Sequence, residues 1–228
     1  MAALVRPERA QVVSFLNAHA VNVAAVDPRF AANLLDSDYL LRDGSGVKVG
    51  CMMFGVAPGL NLNGTDLIPE LLAAYTGRRI AFFGAESYWL TRALEALKAQ
   101  KPGFAAVVGR DGFRAEEEYL ALAVETRPEL IVLGLGMPRQ ERLAIKLREA
   151  MTAAGAACTI VNGGAIIDFM AGKFPRAPAV VRKTGLEWVF RLAMEPRRLA
   201  KRYVLGNPLF LYRVITAKLA SRPAVSSD

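Results

Sequence analysis

Four apolar runs, each closed by glycine or small polar residues and separated by stretches of helical period, organise the middle of this chain. Arg79–Gly84 (RIAFFG), Phe104–Gly109, Leu130–Gly134 (LIVLG) and Cys158–Val161 read as strands, and Ser87–Gln100, Ala115–Thr126 and Arg139–Ala153 read as helices. A strand that is apolar throughout is covered on both faces, and a helix between successive strands is the crossover that parallel pairing requires. The pattern predicts an α/β fold with a Rossmann-like, mainly parallel sheet. The loops after the four strands, GAES, GRDG, GLGMPRQ and NGG, then share the rim at which such sheets bind ligands.

The first 75 residues are less regular. Gln11–Val26 mixes strand and helix signals, Leu40–Leu41 runs into the turn Asp43-Gly44, and Val47–Val56 is apolar. NGTDLIPELL (Asn63–Leu72) predicts a helix start with Thr65 or Asp66 as its cap. Hydrophobic residues make up 53% of the chain and charged residues 22%, a balance that excludes a disordered protein. Cys51 and Cys158 are too few for a disulfide framework and sit in apolar runs, so buried thiols in a reducing compartment are expected. Arg6, Glu8 and Arg9 stand where a signal peptide needs an apolar stretch, so no secretion is expected.

Charge divides the chain in another way. Twelve Lys or Arg and only two acids, Glu187 and Glu195, lie between Lys173 and Arg222, whereas residues 1–172 hold seventeen bases against eighteen acids. The reading is a catalytic domain over 1–172, a basic amphipathic appendage over 173–222 and a frayed tail over 223–228. Leu186, Val189, Phe190 and Ala193 follow a helical period, Pro196 interrupts it, and Arg198, Lys201 and Arg202 follow on one side. Asn207 as cap and Pro208 at the first position then open a last helix, apolar nearly all round through Leu209, Phe210, Leu211, Tyr212, Val214 and Ile215. The charge-free run Tyr203–Tyr212 is far shorter than the ~20 residues of a bilayer span. Such a module is expected to rest on an anionic membrane surface, with Arg191, Arg197, Arg198, Lys201 and Arg202 as its contacts. Basic residues interleaved with Trp188, Phe190, Tyr203 and Tyr212 would also suit nucleic acid, but nucleic acid would not bury the apolar face of the last helix. Packing on another subunit is a third reading, and the oligomeric state is open.

Several patterns could carry chemistry. Gly134-Leu135-Gly136 follows a strand, but Arg139 occupies the place of the third glycine of a dinucleotide fingerprint, so no nicotinamide cofactor is expected. Phosphate binding at the glycines and the following helix N-terminus remains. Asp36-Ser37-Asp38 matches the DxD triplet of metal-dependent sugar transferases in wording only; no strand precedes it, and it reads as a helix end with solvated carboxylates. His19, the single histidine, reads as a hydrogen-bonded structural residue, and no metal site is expected. Asp43, held in a tight Asp-Gly turn, is placed to keep a carboxylate at a cleft edge. Gln140 and Glu141, just past a strand end, either cap a helix or face a ligand.

In chain order, FLNAH (Phe15–His19), LLRDGSGV (Leu40–Val47), NGTDLIP (Asn63–Pro69), LGLGMPRQE (Leu133–Glu141), VNGGAIIDFMAGKFPRAP (Val161–Pro178) and GLEWVFRLAMEPRRLAKRYVLGNP (Gly185–Pro208) together resemble the WecG/TagA/CpsF glycosyltransferases, family 26 of the glycosyltransferases, over about residues 12 to 212. The resemblance implies a bacterial, inverting transferase without metal or other cofactor. It would move a sugar from a UDP-sugar to a polyprenyl-diphosphate-linked sugar, as a peripheral protein at the cytoplasmic face of the inner membrane, with no role for nucleic acid. Asp43 matches the proposed general base of the family, Asn17 the asparagine of its N-terminal motif and Gln140 the glutamine of its PxQE motif. The family's usual threonine is Phe15 here, and its usual arginine three residues before the GTD glycine is Asn61. LNLNGTDL is closest in wording to the GumM-type glucosyltransferase branch, so the resemblance favours UDP-glucose and exopolysaccharide synthesis, with an N-acetylmannosamine-type donor as the alternative. The expected substrate-binding set is Asn17, Asn61, Thr65, Asp66, Gly84, Gly134, Gly136, Arg139, Gln140, Glu141, Asn162 and Gly163. An inverting displacement needs one base to take the proton of the acceptor hydroxyl. Without a metal, loop amides and arginines, Arg139 among them, must stabilise the leaving diphosphate, and the appendage is expected to close over the site.

Overall fold

The glycine-terminated runs become the middle of a six-stranded sheet. The computed structural model describes residues 1–99, 103–178, 181 and 187–221; the expectations for Gln100, Leu186, Arg222 and the tail at 223–228 lie outside the described residues. In chain order the elements are α1 (Ala2–Val5), β1 (Gln11–Leu16), α2 (Ala18–Ala24), α3 (Pro28–Leu35), β2 (Tyr39–Arg42), α4 (Ser45–Met53), α5 (Gly64–Ala74), β3 (Arg79–Gly84), α6 (Ser87–Lys98), β4 (Ala106–Arg110), α7 (Glu116–Thr126), β5 (Leu130–Gly134), α8 (Arg139–Ala153), β6 (Thr159–Asn162) and α9 (Ile166–Met170). Then come α10 (Glu187–Met194), α11 (Pro196–Ala200), a wide π turn (Lys201–Leu205) and α12 (Gly206–Ala220).

The strand order is β2-β1-β6-β5-β3-β4, and the pairs β1–β6, β6–β5, β5–β3 and β3–β4 are parallel. The chain leaves β3 for β4 on one side and returns to β5 on the other. The carboxyl ends of β3 and β5 therefore flank the switch point at which open α/β sheets bind ligands.

The described residues pack as two compact units. The first comprises Met1–Phe15, Asp27–Leu41 and Leu62–Arg176. Its sheet sorts side chains by the period of two: Val13, Ile80, Phe82, Leu130, Val132 and Val161 face α5, α6 and α9, whereas Val12, Ala81, Phe83, Ile131, Leu133 and Ile160 face α7 and α8. Each of the larger of these side chains, fully removed from water, stabilises by about 1.5–3 kcal/mol. Cys158 lies in the second layer, and burial pushes its thiol up to about 12, which makes it an inert core residue.

Three local expectations change in this unit. The cap of α5 is Asn63, whose Oδ1 accepts from the Asp66 amide at 2.9 Å while its Nδ2 donates to Asp66 Oδ2 at 2.7 Å; Thr65 and Asp66 already lie inside the first turn. Asp36 closes α3 as expected, but Asp38 is not solvated. It accepts from the Val12 amide at 2.7 Å and pairs with Arg9 and Arg148, and although burial opposes ionisation, these partners hold its carboxyl below the usual range. The DxD-like triplet thus ties α3 to the sheet edge and to α8. Finally, β4 starts at Ala106 and β6 ends at Asn162, one or two residues later than their apolar runs.

The second unit comprises Leu16–Val26, Arg42–Asn61 and the described part of 177–228. The division is thus not a single cut near residue 172, because the C-terminal helices pack with two N-terminal segments. Gly46 and Gly50, one turn apart on α4, let α12 approach: a Cβ at Gly50 would sit 3.5 Å from the Phe210 ring and 3.7 Å from Val214. Asn22 of α2 donates to the Gly206 carbonyl at 2.6 Å, and Arg213 donates to the Asn22 carbonyl at 2.7 Å. Only Phe210 and Val214 of α12 are buried by this packing; Leu209, Leu211, Tyr212, Ile215 and Leu219 stay exposed.

The start of α12 also departs from expectation. Asn207 is not a cap, because the helix begins at Gly206, directly out of the π turn, whose closing bond runs from the Gly206 amide to the Lys201 carbonyl. Pro208 has no N–H to offer the preceding turn, and a widened turn absorbs that loss without breaking the helix. No helix among the described residues is long and apolar enough to cross a membrane.

Candidate active site

In the first unit, the expected rim residues gather where β3, β5 and β6 end. Gly84 has φ +139°, and a Cβ there would lie 2.3 Å from the Gly134 backbone, so the two strand ends approach as only glycines allow. A Cβ on Gly134 would meet Ile167 at 2.6 Å, and one on Gly163 would meet Ile166 at 2.4 Å. Gln140, buried in the first turn of α8, joins the loops. Its Oε1 accepts from the amides of Gly136 at 3.2 Å and Gly164 at 3.1 Å. Its Nε2 donates to Glu141 Oε1 at 2.9 Å, which fixes the orientation of the amide. Glu141 is equally buried, and the removal from water raises its carboxyl to about 7. Glu141 Oε2 has no hydrogen-bond partner among the described residues.

Asn162 ends β6 buried, with its Nδ2 donating to Ser14 Oγ at 2.8 Å and its Oδ1 unpartnered among the described residues. Arg139 departs from the expected role. Its guanidinium donates to the carbonyls of Gly112 and Arg114, and so holds the loop after β4 instead of standing free for an anion. Asp66 pairs with Arg176, in addition to its bonds with Asn63; Thr65 is half-buried on the first turn of α5.

The second unit assembles the surroundings of Asp43. The Asp43 amide donates to the Leu16 carbonyl at 2.9 Å, which anchors the turn to the end of β1. Asn17 serves twice: its Oδ1 caps α2 by accepting from the Ala20 amide at 3.0 Å, and its Nδ2 donates to Asp43 Oδ2 at 3.2 Å. Gly44, at φ +90°, supplies the backbone angle of the turn. Its amide donates to Asn61 Oδ1 at 2.8 Å, so Asn61 positions the turn. Arg42 fastens the same structure, reaching the carbonyls of Pro58 at 2.7 Å, Gly59 at 3.1 Å and Gly44 at 3.1 Å.

Burial raises the Asp43 carboxyl above its usual range, while the Asn17 bond and the cations of Arg202, Arg191 and Arg42 oppose the rise. The result is an ionisable, half-buried carboxylate of increased basicity with a fixed orientation. His19 is also acted on by Arg202; burial and then Arg202 lower it to about 4, so the imidazole is neutral at physiological pH. Arg202 is itself lowered, chiefly by burial, and packs its guanidinium over the Tyr203 ring. The five basic residues expected at a membrane thus separate: Arg191 and Arg202 are half-buried and within electrostatic reach of Asp43, whereas Arg197, Arg198 and Lys201 are exposed.

The second unit thus holds a desolvated carboxylate in the field of arginines, and the first a glycine-lined strand rim. The sequence of residues 1–224 matches the model of the glycosyl transferase WecG/TagA/CpsF family. The chain belongs to this family. It is a glycosyltransferase. A relative from Bacillus spizizenii, named N-acetylglucosaminyldiphosphoundecaprenol N-acetyl-beta-D-mannosaminyltransferase, is 30% identical over 202 residues, which cover 87% of this chain and 76% of the relative. A Staphylococcus aureus (strain MW2) protein of the same name is 24% identical over 206 residues, 89% of this chain and 78% of that protein.

These relatives support the N-acetylmannosamine alternative over the glucosyl and exopolysaccharide expectation. The two departures from the family pattern have local roles in the structure. Phe15 is buried in the core, where a Cβ on Gly64 would touch its ring at 3.3 Å, so it is not offered to a sugar. Asn61 is spent on the Gly44 amide. Arg42 was not singled out from sequence, although a cation directly preceding the Asp-Gly turn was the signal for it.

Proposed function

We propose that this glycosyltransferase moves an N-acetylmannosamine-type sugar from a UDP-linked donor to a polyprenyl-diphosphate-linked N-acetylglucosamine, with inversion at the transferred carbon. The observation that carries the reading is the Asp43 carboxylate, oriented by Asn17 and made more basic by burial while arginines keep it ionisable. In the proposed step Asp43 takes the proton of the acceptor hydroxyl as its oxygen attacks the anomeric carbon. The bond to UDP breaks, and the electron pair leaves on the diphosphate. One carboxylate suffices because no covalent sugar intermediate forms. Arg191 and Arg202, within the field of Asp43, supply positive charge toward the leaving diphosphate.

The relatives act on a lipid-linked acceptor by name, which supports a peripheral enzyme on the membrane surface that holds its acceptor. Exposed Arg197, Arg198 and Lys201, with the exposed apolar residues of α12, suit that surface. Each basic residue near an anionic leaflet contributes about 1 kcal/mol. The test is transfer to a short-chain lipid-diphosphate N-acetylglucosamine from a panel of UDP-sugars, with Asp43→Asn alongside. The variant is expected to lose roughly 10²–10⁴-fold in kcat with donor binding retained. A fully active variant overturns the base, and turnover of UDP-glucose alone overturns the donor.

A further inference from the structure

The segment after the Asp43 turn has an unusual composition. From Gly44 to Thr65 there is no acidic residue, and Lys48 is the only charge. Along it Val49, Met52, Phe54, Val56 and Leu60 are exposed, Leu60 at 77%. These residues lie on α4 and on the loop that follows. Water gives such a surface no support, so something apolar is expected to cover it.

The backbone of the loop indicates what. A chain entering lipid must satisfy its own polar groups, since hydrocarbon offers none. Here the amides of Phe54, Gly55 and Val56 donate back to the carbonyls of Gly50, Met52 and Cys51. At the far side of the loop the carbonyls of Pro58 and Gly59 are taken by the guanidinium of Arg42. The charges around it are positive: Lys48 is exposed on α4, and Lys218 of α12 lies with its Nζ 5.4 Å from the centre of the Phe54 ring. An apolar tip whose bends are closed by the α4 cap and by Arg42, with cations beside it, suits an anionic phospholipid surface.

We propose that the Met52–Leu60 tip inserts into the interface of an anionic bilayer, as a docking element separate from the basic C-terminal helices. The proposal rests on the membrane-surface reading above and adds a consequence to it. Arg42 and Asn61 bond the tip to the Asp43 turn, so the element that enters the lipid and the turn that carries the base are one hydrogen-bonded piece. The base is thereby held at the level where a lipid-anchored acceptor presents its sugar.

The experiment uses the full chain with vesicles of phosphatidylglycerol and, separately, of phosphatidylcholine. A polarity-sensitive dye is placed on Leu60→Cys in a Cys51→Ser background. Its emission is expected to shift to the blue with phosphatidylglycerol and to stay unchanged with phosphatidylcholine. Val56→Asp and Leu60→Asp are each expected to weaken flotation with phosphatidylglycerol by roughly tenfold, while transfer to a water-soluble short-chain acceptor is unchanged. If the wild type floats but the dye stays in water and both variants float equally well, the tip is overturned and the C-terminal docking survives. If the wild type does not float at all, the membrane-surface reading fails and the tip fails with it. If the dye is already shielded without vesicles and light scattering reports a dimer, a second copy covers the tip and the lipid assignment is overturned.

Discussion

Glu141 offers a test in which the expected magnitude follows from burial. Its carboxyl lies in the first turn of α8 with one oxygen held by Gln140 and the other without a partner among the described residues, and its proton affinity rises from an ordinary 4.5 to about 7. Between those values the folded protein keeps a proton that the unfolded chain has released. Stability therefore falls as pH rises through that window, and it is highest, for this group, below 4.5. At about 1.36 kcal/mol per pH unit, the rise corresponds to about 3 kcal/mol lost by about pH 8, a sizeable share of a stability of order 10 kcal/mol. Glu141→Gln preserves the oxygen that accepts from Gln140 and imitates the protonated acid, but cannot ionise. Urea unfolding at about pH 4.5 and about pH 8 separates the two proteins. The variant is expected to match the wild type at the acidic end and to exceed it by about 3 kcal/mol at the alkaline end, with equal urea slopes. Curves that stay parallel within about 1 kcal/mol at both pH values would refute the argument, because a carboxylate that ionises at no cost is not desolvated.

Other substitutions test other parts of the structure. Gly84→Ala, whose Cβ would lie 2.3 Å from the Gly134 backbone, is expected to destabilise by about 4 kcal/mol or more, read from the urea midpoint. Gly50→Ala has the opposite sign, because its Cβ meets Phe210 at 3.5 Å, an ordinary contact, and alanine favours a helix interior: a gain of about 0.5–1 kcal/mol is expected in the same assay. The acid limb of kcat/KM, set by the Asp43 base, is expected at a higher pH than an ordinary carboxylate gives. Arg202→Gln is expected to move it higher still, because that cation favours the ionised form; a limb that moves down on losing Arg202 would contradict the assignment.

Legibility in the sequence followed the range of the interactions involved. The bounds of β3, β5 and α8 agree with the runs Arg79–Gly84, Leu130–Gly134 and Arg139–Ala153, because each is set by its own period and its own terminal glycine or proline. The cap of α5 was displaced to Asn63 because Asn, Thr and Asp are all good caps, and only the backbone angle decides which residue stands outside the first turn. Asp38 looked solvated because the partners that bury it, Arg9, Val12 and Arg148, come from distant parts of the chain. The alternation of strands and helices fixed the fold, yet it did not reveal that Leu16–Val26 and Arg42–Asn61 pack with the C-terminal helices. That association depends on the glycine seam of α4 and on Asn22, neither of which has a period.

The site illustrates the same division more sharply. Asp43 was legible because a tight Asp-Gly turn is a local object, and Gln140 because it starts a helix after a strand. Arg191 and Arg202 were read with Arg197, Arg198 and Lys201 as one cationic surface, since a count of charges carries no direction. Helical spacing does not separate them either: Arg198 and Arg202 are four residues apart, the spacing that shares a face on a regular helix, and Arg198 acts electrostatically on Arg202. Desolvation is what distinguishes the two groups. Arg202 loses proton affinity chiefly through burial and lies in the field of Asp43, while Arg197 and Lys201 remain in water. A desolvated arginine within electrostatic reach of a half-buried carboxylate is poorly used as a membrane contact, because burial removes its charge from the surface. Arg197 and Lys201 are exposed, and Arg198 is exposed beside its partner Glu195, so under the proposed reading attraction to a leaflet falls to these residues and the field at Asp43 to Arg191 and Arg202.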